Sequence, residues 1–173
     1  MSMLESATSW TKQFFMSFGW AGLFLLAFVE SSFFPIPPDV LLIPMALASP
    51  QSALILAAIT TLGSVLGAVF GYFLGQKGGR PVLDWLVEDE HVEMVEAYYE
   101  RHGSWAVGVA GFSPIPYKVF TVASGMMNMD LKSFTAVSVL SRGARFFLEA
   151  LIIMMWRESI VAFLKTYFGY VTL

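Results

Sequence analysis

Proline halts this chain twice inside apolar sequence, and both times in the same pattern. Phe34-Pro35-Ile36-Pro37-Pro38-Asp39-Val40 and Ser113-Pro114-Ile115-Pro116-Tyr117-Lys118-Val119 align at a constant offset of 79 (114 − 35). They share Pro-Ile-Pro, one free position, a charged residue and Val, with the charge changing sign from Asp39 to Lys118. A proline removes a helical hydrogen bond and clashes with the preceding turn, so neither stretch continues as one helix. Matched proline-broken segments in the two halves of an apolar chain point to a ligand site between inverted repeats in a membrane.

The solvent follows from composition. With 57% hydrophobic and 13% charged residues in 173, and a mean hydropathy of +0.67, the chain is too apolar to hide its surface in a soluble fold. We expect an all-α integral membrane protein, multi-pass, in the cell (plasma or inner) membrane. The absence of cysteine excludes disulfides and thiolate metal sites. A formal net charge of −3 argues against a nucleic-acid partner. The apolar run 14–29 has no small-x-small cleavage site after it and meets Glu30, so it is expected to remain as structure.

The whole chain, 1–173, is expected to form a single membrane domain. Residues 1–13 make an interfacial lead-in. Repeat 1, residues 14–75, has an arm at about 14–34, a turn at Pro35, Pro37 and Pro38, and an arm at about 38–48 too short to cross a ~30 Å core. Together these suggest a re-entrant hairpin. A true span at 52–74 follows, with Gly63, Gly67, Gly71 and Gly75 spaced for close helix packing. Residues 76–103 alternate acidic residues with Trp85, Tyr98, Tyr99 and aliphatics, as in an amphipathic helix lying at the membrane surface. Its His91 and His102 are eleven residues apart, roughly 16 Å along a helix, so neither a metal site nor a cofactor is expected.

Repeat 2, residues 104–156, returns the hairpin with its turn at Pro114 and Pro116, then a polar break at Asn128, Asp130 and Lys132, then a span at 133–156. A short tail, 157–173, closes the chain. One crossing per repeat makes the second repeat inverted. The 77–101 loop holds three basic and seven acidic residues, while Lys12, Arg157 and Lys165 flank the other side. Both termini are therefore expected in the cytoplasm.

Glu30, Asp39, Lys118, Arg142, Arg145 and Glu149 all fall at membrane depth, where each central charge costs about 2.5–3.5 kcal/mol on insertion scales. Arg142, Arg145 and Glu149 recur at three and four residues and share a helix face. Two explanations stand. One is an architectural ion-pair network, Asp39 with Lys118 and Glu149 with Arg145. The other is a polar cavity where guanidinium forks meet a phosphate headgroup and neighbouring carboxylates exchange protons. Ser31, Ser32, Ser113, Ser124 and Ser141 either line such a cavity or fill helix contacts.

Glu30, the 34–39 turn, the Gly63/Gly67/Gly71 ladder, the second turn closing on Ala123-Ser124-Gly125, and Ser141-Arg142-Gly143-x-Arg145 together resemble the DedA family, whose core is the VTT (SNARE-associated Golgi protein) domain. The likeness covers about 15–156. It implies two opposed re-entrant hairpins, with Gly125 at the second hairpin turn, and transport of lipid phosphates, undecaprenyl phosphate in bacteria and phospholipids in eukaryotic relatives. Where many members carry arginine, three residues before and three after the second hairpin's proline, this chain has Gly111 and Tyr117.

The expected function is a transporter or flippase of a phosphate-bearing lipid, not an enzyme. Glu30, Asp39, Lys118, Arg142 and Arg145 form its site, and protons are the candidate coupling ion through Glu30 and Asp39. A homo-oligomer is compatible with the sequence. A small-ion transporter and a non-transporting scaffold are the alternatives.

Overall fold

The computed structural model describes residues 18–86, 99, 101–102, 105–112 and 117–169. Residues 1–13, half of the 76–103 linker including His91, and Ser113, Pro114 and Pro116 lie outside the described residues. Among those described the chain is helical, with no strand.

Helix α1, Gly19–Ser32, opens on a left-handed glycine (φ 54°). It ends where the Phe33 and Phe34 amides both bond the Val29 carbonyl at 2.8 Å. Pro35 and Pro37 occupy an exposed non-helical link, and buried Pro38 leads into α2, Asp39–Ala48, with Asp39 in the first turn. An acidic residue there complements the partial positive charge of a helix N-terminus. With 14 residues in α1 and 10 in α2, the two helices are about 21 Å and 15 Å long, short of a ~30 Å hydrocarbon core.

After a single 3-10 turn, Pro50–Ser52, the longest apolar helix begins: α3, Ala53–Leu86. Its break falls at Gly79 (φ 60°, ψ −149°), two residues before Pro81. Glycine alone adopts that backbone freely, and proline favours the first turn of a new helical segment. Pro50–Val82 is the one helix among the described residues long and apolar enough to cross a membrane.

Helices α4, Trp105–Phe112, and α5, Tyr117–Met126, precede a tight turn with Asn128 at φ 51°. Asp130 caps the next helix, accepting from the Ser133 amide (2.8 Å) and hydroxyl (2.9 Å). That helix, α6, runs Leu131–Gly169 with a break at Trp156. The expected span at 133–156 is thus one helix, but Arg142, Arg145 and Glu149 make its apolar character depend on turning them inward.

The glycine ladder shows how α3 organises the rest. A Cβ on Gly63 would lie 2.5 Å from the Phe24 carbonyl oxygen, and one on Gly67 would collide with the Phe28 backbone, so α1 rests on this half of α3. At Gly75 the obstacle is the Val122 carbonyl of α5, and Gly71 lies between the two, against Ser31 and Thr121. Gly125, expected at a hairpin turn, instead lies inside α5, where a side chain would strike the Tyr72 carbonyl of α3. It serves close packing because both backbones meet there.

Two apolar cores result. Leu23, Leu26, Leu41, Leu42, Leu56 and Phe146 join α1, α2, the start of α3 and the later part of α6. Tyr72, Val107, Tyr117, Phe120 and Phe134 join α4, α5, the later part of α3 and the start of α6. Outward lie Trp20, Leu62, Phe70, Trp105, Leu140 and Met155, an apolar exterior suited to lipid.

Candidate functional site

Arg142 is the centre of the polar interior and only 2% exposed. Its Nη2 donates to Glu30 Oε2 at 2.6 Å and its Nε to Ser64 Oγ at 2.7 Å. The guanidinium carbon lies 4.8 Å from the Tyr117 ring centroid and 4.7 Å from that of Phe146. Aromatic faces attract a cation by their quadrupole while excluding water. Ser31 Oγ donates to the same Glu30 oxygen at 3.0 Å and hydrogen-bonds Ser64 Oγ at 2.7 Å. The Tyr117 hydroxyl donates to Ser138 Oγ at 2.7 Å, fixing the ring under Arg142.

One helical turn on, Arg145 Nη2 donates to Asp39 Oδ2 at 2.6 Å and its Nε to Glu149 Oε1 at 3.4 Å. Among the described residues Asp39 Oδ1 and Glu149 Oε2 find no hydrogen-bond partner, although both atoms are buried. Lys118 Nζ donates to the Phe33 carbonyl at 3.3 Å, at the end of α1.

These contacts correct the expected pairing of Asp39 with Lys118. Helix α2 lies against α6, so the Arg145 fork reaches Asp39, while Lys118 in the first turn of α5 meets the end of α1. The Glu149–Arg145 pair forms as expected. The serines divide. Ser31 belongs to the network, Ser32 ties α1 to the Gly67 carbonyl (3.0 Å), and Ser124 bonds the Phe120 carbonyl and the Tyr99 hydroxyl. Ser141 faces α4, and a Cβ on Gly111 would come within 2.9 Å of its Cβ. That contact leaves no room for a long side chain at 111, and Tyr117 supplies an aromatic platform instead of a second cation.

Sequence reasoning missed Ser64, Ser138 and Phe146. Phe146 follows Arg142 by four residues, which would bring the two together on one helix. Ser64 stands beside Gly63 in the ladder, and nothing in its spacing links it to an arginine 78 residues away. Among the described residues no group of three His, Asp or Glu side chains is arranged to hold a metal ion.

A family model described as the VTT domain matches residues 34–155, more than half of the chain and all the interior charges except Glu30. The chain belongs to the VTT-domain (DedA) family. A relative of this DedA chain in Haemophilus influenzae, an uncharacterized protein, is 39% identical over 171 residues, covering 95% of this chain and 85% of its own. Staphylococcus aureus has one named undecaprenyl phosphate transporter A, 24% identical over 140 residues (74% of this chain, 69% of the relative). Lactococcus lactis subsp. cremoris has one named alkaline phosphatase-like protein, 30% identical over 138 residues (71% and 64%). No solved structure matches the chain.

Proposed function

We propose that this DedA protein moves a phosphate-bearing lipid across the membrane, with its load held among Glu30, Asp39, Lys118, Arg142 and Arg145. The carrying observation is the set of three carboxylates and three cations drawn together inside an apolar chain, with unequal partners. Arg142 is enclosed and engaged by Glu30 and Ser64. Among the described residues Lys118 is held by a backbone carbonyl alone and keeps donors for an anionic headgroup. Asp39 keeps one oxygen without a partner, a position for a proton that travels with the load. The name of the Staphylococcus relative favours a polyprenyl phosphate over an ordinary phospholipid.

The proposed architecture is a pair of opposed re-entrant hairpins, α1–α2 and α4–α5, in an inverted repeat that exposes the site to each side in turn. The two cores, each with one hairpin and opposite ends of α3 and α6, favour it. So do two distant contacts. Gln76 Nε2 donates to Asn128 Oδ1 at 3.2 Å, bringing together two polar breaks placed outside the cell. Arg157 Nε donates to the Leu47 carbonyl at 3.0 Å, joining two segments placed on the cytoplasmic side.

The test is translocation of polyprenyl phosphate and of a phospholipid in liposomes, with release of inorganic phosphate measured alongside. Wild type should translocate the polyprenyl phosphate without releasing phosphate. Lys118→Gln and Asp39→Asn, folded and inserted, should slow translocation at least tenfold. Phosphate release would favour the enzymatic chemistry that the Lactococcus relative's name describes. Ion flux without lipid movement would favour an ion transporter, and neither activity a scaffold.

A further inference from the structure

Two grooves flank α6 beside its exposed apolar side chains. Phe112, Arg145, Leu148, Glu149 and Ile152 line one, of about 390 Å³. Trp105, Val109 and Leu140 are among the walls of the other, also about 390 Å³, which lies between α4 and α6. Phe112 borders both. The first has a charged end, and the second is apolar along its length.

Resting on the transport function proposed above, we infer that the joined grooves are the lateral binding site of the lipid. The phosphate ester meets Arg145 at the charged end, the hydrocarbon chain lies along α4 and α6, and Glu149 holds the place of the phosphate until it arrives. Of the two arginines, Arg145 is the accessible one, 26% exposed against 2% for Arg142. Its two carboxylates are held unequally. The 2.6 Å contact to Asp39 is a short charge-assisted bond, and the 3.4 Å contact to Glu149 is longer than such bonds normally are. Glu149 leaves its other oxygen unpaired and itself lines the groove, so the weaker ligand stands on the side from which a lipid would come.

A phosphate brings more acceptor oxygens than a carboxylate and fits the guanidinium fork in a bidentate manner. Taking Glu149's place therefore replaces one long contact with two good ones and leaves the Asp39 pair intact. The occupant's chemistry follows from both ends together: an anionic phosphate ester for Arg145, and a hydrocarbon chain for walls that offer aromatic and aliphatic side chains.

Binding of hexadecyl phosphate, hexadecanol and inorganic phosphate to the full-length protein in nanodiscs tests this. Hexadecyl phosphate should bind well ahead of the other two. Glu149→Gln should tighten both phosphates about 5-fold, the scale of one partly exposed ion pair. Leu140→Trp, which narrows the apolar groove at an exposed position, should weaken hexadecyl phosphate at least fivefold and leave inorganic phosphate unchanged. Hexadecanol binding as tightly as its phosphate would reduce the groove to a place for bulk lipid and overturn the inference. Inorganic phosphate binding equally well would remove the chain from the site, and an unchanged Glu149→Gln would remove the placeholder; either overturns it. Translocation by wild type and Leu140→Trp at equal rates would sink the groove but leave transport standing. Hexadecyl phosphate binding as described in a protein that translocates nothing would do the reverse.

Discussion

Arg142 has its positive charge met by one carboxylate, one hydroxyl and two aromatic faces, with almost no water. Such a group is a structural commitment: removing one member of a buried pair costs about 3–5 kcal/mol because the other is left charged and alone. Arg142→Ala should therefore lower unfolding stability by about that amount. Ser64→Ala, which strands only the Nε–H, should cost about 1–3 kcal/mol. Denaturant titration of purified protein in detergent measures both. A smaller loss for Arg142→Ala than for Ser64→Ala would contradict the central place given to the pair. At this scale the sequence was legible in kind but not in pairing. The six charges had to converge because none can face lipid, yet which acid meets which base depends on helix positions that the common offset of Asp39 and Lys118 does not encode.

Among the elements, α3 shows the same division. Four-residue glycine spacing foretold close packing, but the change of partner from α1 at Gly63 to α5 at Gly75 comes from where the broken helices lie. Gly75→Ala should destabilise by about 1–3 kcal/mol, since backbone must move to admit a methyl group. Gly143→Ala, whose Cβ would meet nothing closer than 3.6 Å, should be tolerated. Equal thermal stability for the two variants would show that the ladder is not tightly packed. The start of α6 adds a pH dependence. The Ser133 amide and hydroxyl hold the Asp130 carboxyl below the usual carboxylate range. Because the folded value is the lower one, the cap is intact above the ordinary value of about 3.9 and is lost as pH falls through the folded value. Hydrogen exchange at Ser133 and Phe134 should accelerate there in wild type, and Asp130→Asn should abolish that acid step.

For the molecule as a whole, two cores traversed by the same two helices lend the proposed inversion a concrete geometry, and the absence of cysteine makes it easy to test. Single cysteines at Lys77 and Lys132 should react with a membrane-impermeant maleimide added to intact cells, whereas those at Ser49 and Arg157 should react only after permeabilisation. Labelling of all four from outside would overturn the topology. The expectation of inversion came from counting crossings: a second arm too short to span has to return to the side from which the first arm entered.

The ion pairs between α6 and the first two helices bear on how the protein is made. During synthesis Glu30 and Asp39 leave the ribosome more than a hundred residues before their partners Arg142 and Arg145. Until those arginines appear, two carboxylates wait in or beside the bilayer without a counter-charge, and α6 in turn carries charges that no isolated helix would willingly take into lipid. Insertion of the C-terminal half is then conditional on the N-terminal half being present. A fragment beginning at residue 104 should fail to integrate when expressed alone and integrate when residues 1–103 are supplied as a separate chain, making the two halves of this protein obligate partners from birth.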